Sequence, residues 1–524
     1  MPYIYNIIKA DYLQRTRSYS FLITLAVTVY AAYSFVPPSS AAYTTLSASG
    51  YKGVYNSAWV GYVSAIMTTV MLSFYGFLLV NSGIKKDIDT EVGLIIATTP
   101  ISNFKYLLCK QLSNYLVLLT IAGCTFVVSF ILFFIRGAGY PFILSNFVLP
   151  YLFFAVPALF MIASLAVVAE VFLGKRNILQ YIICFFLCGA TMSFITKSGD
   201  NSSGVFDPFG LSLITKSITR QINSQFHEHV KDVSFGFIFN GHRKYKPFVW
   251  EGISWSAVFI FSRVLWMGFG LALTYFSSLF FHRFDFKQAA GKKKIKVIQQ
   301  PEADKLTINP AGITRQTMPP LVFNYGIFPF IKTELLLLIR QGNKWLWLLN
   351  SGLWIAMFIV PLPIAYTYML PILLFLQVTR WSDLVTKEKT NRVHYFAYAS
   401  YKPLLRMLPA QIFAGILLAL ALALPVLLRN AAGLNGYAII NIVNGSVFIV
   451  LLAATLGILS GGKKLFEVVF FMLTYAIVNK VPVADYLGGL THGNTITYIF
   501  IIAGINIGLA CAGFLTRSYQ VKHL

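Results

Sequence analysis

The chain is poor in charge, and poorest in acids. Only 11% of its 524 residues are charged, with 18 Asp and Glu against 42 Lys and Arg, while 57% are hydrophobic. A soluble domain carries about a quarter charged residues, so this chain cannot coat a water-facing surface of its size. The same numbers exclude intrinsic disorder. Cysteine is scarce, and Cys109, Cys124, Cys184, Cys188 and Cys511 all lie in apolar runs. That argues against a secreted disulfide framework. The seven histidines are scattered and no H-E-x-x-H occurs. Cys184 and Cys188 stand at helical spacing and read as small packing residues, so no metal is expected. No G-x-x-x-x-G-K-[ST] occurs either, so the chain has no phosphate-cradling loop of its own. Carboxylates are missing from the middle of the apolar runs, which argues against a proton-driven carrier.

What is present is long apolar segments. A helix needs about 20 mostly apolar residues to cross a bilayer. Such segments are read at 20–36, 59–82, 107–135, 147–173, 177–196 and 255–281, then at 344–360, 365–380, 404–428, 437–460, 465–483 and 496–516. The fold class expected is an all-α polytopic membrane protein with about twelve transmembrane helices. Lys9, Asp11, Arg15 and Arg17 precede the first apolar run, unlike a cleaved signal peptide. The net charge of +24 has its cause in the loops rather than in nucleic-acid binding. With the N-terminus inside, 30 of the 42 Lys and Arg fall on inner segments. The short outer segments hold only Lys52, Arg136, Arg429 and Lys480; the long outer loop at 197–254 holds seven more. This bias places both termini in the cytoplasm. The long loop mixes aromatics (Phe206, Phe209, Phe226, Phe235, Trp250) with charge, and reads as a folded cap or a site for a periplasmic or extracellular partner.

The chain divides in two. Residues 283–325, with Lys292, Lys293, Lys294, Lys296 and four prolines, read as a cytoplasmic linker between a first half at 1–282 and a second at 326–524. Ile8-Lys9-Ala10-Asp11-Tyr12-Leu13 corresponds to Ile331-Lys332-Thr333-Glu334-Leu335-Leu336, and Arg17 to Arg340 at the same offset. Glu91, Lys105, Leu107 and Leu108 correspond to Glu388, Lys402, Leu404 and Leu405. Each half is expected to be an interfacial amphipathic helix followed by six spans, the two halves being pseudo-symmetric.

The connector from Ile84 to Lys105 stands out. It opens with Asp87, Asp89 and Glu91, has an apolar middle from Val92 to Ala97, and breaks at Thr98-Thr99-Pro100-Ile101-Ser102. Ser102 reads as the N-cap of the next helix and Pro100 as a fixed elbow. The bland alternative is an ordinary amphipathic connector.

Asp89, Glu91, Gly93, Thr98, Thr99, Pro100, Ile101, Ser102 and the following Lys105-Tyr106-Leu107-Leu108 resemble the type-2 ATP-binding-cassette (ABC) exporter permeases. The resemblance covers the whole chain by topology and about twenty residues by motif. In the second half, Phe396-Ala397-Tyr398-Ala399 stands where Thr99-Pro100-Ile101-Ser102 would, and the elbow proline is missing. The resemblance implies that the connector is a coupling helix seated on an ATPase subunit, with Glu388, Arg392, Tyr398 and Ser400 serving the second half. It implies two copies of a separate ABC ATPase subunit, which bind ATP and Mg, and a permease that is not itself catalytic and holds no cofactor. It further implies residence in a cell membrane, the bacterial inner membrane, in contact with lipid, and export of an amphipathic or lipid-like cargo by alternating access.

The second and fifth spans of each half line the pathway in that family, and the second span of the first half brings in Tyr62, Thr68, Thr69 and Ser73. Each also suits interhelical hydrogen bonding. Arg263, a charge within the sixth span, joins them by the default reading of intramembrane charge. Two rival readings remain: a multi-span enzyme on lipid-linked substrates, drawing on Asp200, Asp207, Glu228 and His229, or a non-transporting sensor or anchor.

Overall fold

The computed structural model describes residues 2–38, 41, 43–81, 83–137, 139–174, 176–197, 207–227, 230, 233–239, 245–281, 326–341, 344–391, 393–478, 484–490 and 495–523. The expected linker at 283–325 lies outside the described residues, as do Arg392, Asp200, Phe206, Glu228 and His229.

The chain is predominantly helical, as a backbone in lipid must be to satisfy its own hydrogen bonds. The main helices are α1 (Pro2–Thr16), α2 (Tyr19–Tyr33), α3 (Ser57–Met71), α4 (Asn103–Arg136), α5 (Val156–Leu173), α6 (Asn177–Lys197), α7 (Leu211–Phe226) and α8 (Ala257–Phe280). They are followed by α9 (Phe328–Arg340), α10 (Lys344–Ile359), α11 (Pro403–Ala432), α12 (Gly436–Ser460), α13 (Lys464–Val478) and α14 (Thr495–Lys522).

Among the described residues, seven helices are long and apolar enough to cross a membrane: Ser57–Asp89, Asn103–Arg136, Ser145–Leu173, Ala257–Phe280, Pro403–Ala432, Gly436–Ser460 and Ile496–Lys522. They coincide with seven of the twelve expected segments. Four of the other expectations meet shorter apolar helices, Phe21–Tyr33, Leu179–Met192, Trp345–Ile359 and Leu362–Phe375. The fifth meets α13, whose 15 residues rise about 22 Å at 1.5 Å each. Proline is one reason for the shortness. Pro37-Pro38 follows α2 and Pro361 follows α10, and proline neither donates to a helix nor tolerates one before it.

Among the described residues three helices carry a single wide π turn, at Leu72–Gly76, Tyr151–Ala155 and Ala365–Met369. Such turns shift the register of the side chains that follow.

The largest departure from helix is a four-stranded sheet of order β3-β1-β2-β4, built from β1 (Tyr43–Ala48), β2 (Tyr51–Gly53), β3 (Val233–Phe239) and β4 (Lys246–Phe248). β1 pairs antiparallel with β2 and β3, and β2 runs parallel to β4. The long loop is thus a folded cap, but half of its sheet comes from the segment before α3. Amphipathic α7 buries Leu211, Ile214, Ile218 and Ile222. Trp250, fully buried, packs edge-on to Trp59 and Tyr62 of α3 and fixes the cap to the helices.

Two large hydrophobic cores and two small satellite clusters result among the described residues. The first gathers buried residues from Phe21 to Phe259 together with Val468 and Phe471; the second runs from Leu338 to Ile502. α13 belongs to both. Phe466, Phe470 and Ile477 lie on one side of it and feed the second core, while Val468 and Phe471 lie on the other and feed the first. At 3.6 residues per turn these are two different faces of one helix.

Two polar devices recur in distant parts of the chain. Arg136, the last residue of α4, donates to the carbonyls of Tyr33 (3.2 Å) and Val36 at the end of α2. Arg429, near the end of α11, donates to those of Met357 (2.7 Å) and Val360 (2.6 Å) at the end of α10. Each satisfies carbonyls that a helix end leaves orphaned.

Asp207 and Asp485 form the second device. The Asp207 carboxylate accepts from the amides of Phe209, Gly210 and Ser212 at 2.7–2.9 Å. That of Asp485 accepts from Gly488, Gly489 and Leu490 at 2.6–3.1 Å.

Candidate partner-docking surface and inter-core cavity

The connector after α3 is built on a buried carboxylate. Glu170 of α5 accepts from the backbone amides of Gly83 (2.9 Å), Ile84 (2.7 Å) and Lys85 (3.2 Å), which open the short helix Gly83–Asp89. The negative charge sits where the helix dipole is positive. Glu170 is therefore a buried cap supplied from another helix.

The chain then reverses at Glu91, whose φ of 61° lies in the left-handed region, at a cost of roughly 1–2 kcal/mol for a residue with a Cβ. The helix Val92–Ala97 follows. Thr98 and Thr99 cap its end through their hydroxyls, on the carbonyls of Ile95 (2.8 Å) and Ile96 (2.6 Å). Ser102 caps α4 by accepting from the Lys105 amide at 3.3 Å.

Ile96, Ala97 and Ile101 pack on Ile84, Tyr106, Leu107, Val167 and Phe281. Val92, Leu94 and Ile95 point away, with Ile95 68% exposed. The connector thus stands on one apolar face and presents another.

A knot of charge anchors it from behind. Lys110 of α4 bridges Asp11 of α1 (3.0 Å) and Asp87 (2.9 Å). Asp87 also accepts from the Tyr106 hydroxyl at 2.6 Å, and Arg15 pairs with Asp11 at 3.3 Å. Burial pushes the Asp11 carboxyl up, but Arg15 and Lys110, helped by the hydrogen bonds of Ser113 and Lys110, outweigh it and hold it below its usual range.

The connector after α10 has the same order of parts. The short helix Lys387–Thr390 is tied to α9 by a Lys387–Glu334 ion pair. Glu388 is buried and accepts from the Gln411 side-chain amide at 2.7 Å; burial pushes its carboxyl up. The helix His394–Tyr398 then presents Tyr395 and Phe396, the latter 83% exposed. Behind it, Arg517 of α14 donates to the Tyr398 hydroxyl and to the Val385 carbonyl. α11 starts with Lys402 in the left-handed region and Pro403 in the first turn, with no side-chain cap.

Both connectors lie at one end of the molecule. Ser382 and Asp383, leading into the second, contact Glu467 (3.3 Å) and Lys463. The adjacent Lys464 reaches the carbonyl of Leu78, leading into the first, at 3.4 Å.

Of the residues singled out by sequence, Asp89, Glu91, Thr98, Pro100, Ser102 and Ser400 are exposed on this end, and Thr99, Ile101 and Tyr398 are half-buried. Gly93 and Glu388 are buried, so neither offers surface. The sequence reasoning missed Leu94, Ile95, Tyr395 and Phe396. Apolar residues in short segments between charged ones were the signal for them.

Between the two cores lies a cavity of about 310 Å³, lined by α6 (Tyr181, Phe185), the helix Leu370–Phe375 (Phe375) and α13 (Phe471, Thr474, Tyr475), among others. Its wall is almost wholly apolar, which suits an apolar or amphipathic occupant.

None of the sequence-selected pathway residues lines it. Tyr62 packs in the cap junction and accepts from the Ile253 amide at 3.4 Å. Thr68 bonds Thr125 at 2.9 Å. Thr69 and Ser73 donate to carbonyls of their own helix. Arg263 donates to the carbonyls of Asp207 (2.5 Å) and Pro208 (3.1 Å), holding the Asp207 turn. The two thiols of α6, Cys184 and Cys188, are 4.0 Å apart, and Cys188 donates to the Ser73 carbonyl. Among the described residues no group of three or more His, Cys, Asp or Glu is placed to hold a metal. Compared with known proteins, the chain matches no protein-family model, no curated protein and no solved structure.

Proposed function

We propose that the chain is the transmembrane subunit of an ATP-driven exporter, with two six-span halves fused and two separate ATPase subunits seated on its connectors. The observation that carries this reading is the pair of connectors at one end. Each is a short helix wedged between a second and a third span, backed by a buried polar cluster, with an exposed apolar tip at Ile95 or Phe396. Exposed apolar side chains on a polar rim favour a protein partner. Clusters tied to α1 and α4, or to α9 and α11, are stiff enough to pass a push into the spans.

The duplication rests on the recurring arginine caps, the recurring aspartate turns, and the π turn in each second span. The five shorter helices complete the twelve by packing within the cores rather than by their own length. ATP and Mg belong to the partner. Cargo is apolar or amphipathic, in keeping with the cavity wall, and its passage follows differential affinity of the ATPases for two arrangements of the halves. The membrane is a bacterial inner membrane, with both connectors cytoplasmic.

The test is co-expression with an ABC ATPase subunit from the same genome. The complex is expected to purify intact and to hydrolyse ATP faster than the free subunit. Failure to bind any such subunit would sink the reading.

A further inference from the structure

We propose that Tyr181, Lys464 and Glu467 form a latch between the two cores that closes the connector end of the cavity. This rests on the transport reading for its purpose, but not for its geometry. Glu467 is 3% exposed. It accepts from the Tyr181 hydroxyl at 2.9 Å and pairs with Lys464 at 3.4 Å. Lys464 donates to the Tyr181 hydroxyl at 2.8 Å and lies over the Tyr181 ring. Ser382 adds a bond to the other Glu467 oxygen at 3.3 Å, and the Leu78 carbonyl accepts from Lys464 at 3.4 Å. The cluster therefore joins the first core, through Tyr181 and Leu78, to the second, through Ser382 and α13.

Its position makes it a gate. Tyr181 belongs to the cavity wall as well as to the latch. Glu467 precedes the wall residue Phe471 by four positions, one turn or about 6 Å along α13. Phe471, Thr474 and Tyr475 succeed one another beyond it. Anything leaving the cavity along α6 and α13 toward the connectors must pass the three polar side chains.

Their chemistry suits reversible closure. With the cores together, each charge is paired and bonded. With the cores apart, water in the cleft solvates Lys464 and Glu467, so the separated state leaves no bare buried charge. An apolar plug would instead pay to be wetted at each opening. Because the Tyr181 ring is shared, an occupant that displaces it also withdraws its hydroxyl from Glu467, so filling the cavity loosens the gate.

The test uses the full chain, without any ATPase, in inside-out membrane vesicles. The five native cysteines are replaced and Thr474→Cys is the reporter. The probe is a membrane-impermeant maleimide applied at the connector face. Little labelling is expected with the latch intact. Tyr181→Phe, which keeps the ring and removes only the hydroxyl, should raise the rate about tenfold, the scale of one or two interhelical hydrogen bonds in a membrane. Lys464→Met with Glu467→Gln, which removes both charges together, should raise it further. Unchanged labelling in both variants, in protein that elutes as the parent does, would overturn the latch. That result would leave ATPase binding untouched, and loss of ATPase binding would leave the labelling result untouched.

Discussion

Asp207 and Asp485 make the same turn: each carboxylate accepts the amide of the glycine three residues on, Gly210 at 2.8 Å and Gly488 at 2.9 Å. The two glycines share a left-handed backbone, with φ of +80° and +79°. In each case a side chain from the following long helix holds the aspartate's own carbonyl, Arg263 of α8 for one and Tyr498 of α14 for the other. Asp207→Ala or Asp485→Ala strips three amides of their acceptor. Each should lower stability by about 2–4 kcal/mol, since hydrogen bonds to charged groups are worth roughly 1.5–3 kcal/mol each and water recovers part of the loss. Thermal unfolding in detergent measures this, and a negligible shift for both would show that the turns are incidental.

Lys110 is the pivot of the first connector's charge knot. Lys110→Met leaves Asp11 with Arg15 alone and Asp87 with only the Tyr106 hydroxyl, two like charges in a buried site, a loss on the order of 3 kcal/mol. Adding Asp87→Asn should restore part of it. A triple change that restored nothing even with Asp11→Asn would mean packing, not charge, is at stake.

The acid response of the two connectors has opposite signs. Asp11 is held low in the folded state. Its stabilisation is whole above the unfolded carboxylate value, near 3.9, and is lost as pH falls through the lower folded value. Glu388 is pushed up by burial, so its contribution worsens as pH rises from the unfolded value through the folded one. Glu388→Gln should therefore raise the melting temperature at pH 7, by roughly 1–3 °C, and flatten the pH profile between 4 and 7. A fall in melting temperature at pH 7 would contradict the burial argument.

Ile95→Asp and Phe396→Asp change exposed tips and should leave the melting temperature within about 1 °C, surface changes being worth roughly ±0.5 kcal/mol. Each is expected to weaken ATPase-subunit binding at least about tenfold, as truncation of an anchor residue does, and the double variant should abolish it. Titration of the purified chain with the ATPase subunit reads this directly.

Much of the fold was legible because lipid imposes a single rule on backbone. Seven long helices fall where apolar length put them, and Ser102 caps α4 as its place after Pro100 and Ile101 required. The sheet was not legible. β1 and β2 lie in a short stretch rich in Ser, Thr, Tyr and Gly that has no alternation strong enough to announce strands, and their partners lie far along the chain. Nor do the second-span hydroxyls selected through the resemblance line the cavity. The resemblance alone places Thr68, Thr69 and Ser73 on a pathway; in an apolar interior such groups bond the nearest carbonyl or hydroxyl, as these do. Glu388 aligned with Glu91 by sequence offset, yet one is buried and the other exposed. An offset fixes register along the chain and not the angle about a helix. The exposed tips were missed although the apolar middle from Val92 to Ala97 falls in the connector by sequence, because a six-residue apolar helix does not show in sequence which of its faces is packed and which is presented.

The sheet order has a bearing on how the protein is made. Ala48 of β1 pairs with Val233 of β3, so on the ribosome the first strand is delivered about 185 residues before its neighbour. At 5–20 residues per second, that leaves an unmatched edge exposed for roughly ten to forty seconds, while the four apolar helical segments between the two strands are made. The hairpin of β1 and β2 is too small to hold by itself in water. In the proposed orientation, newly made chains stalled between those two points would present an adhesive strand to the compartment outside the membrane, and a chaperone there would have its work on this protein confined to that interval.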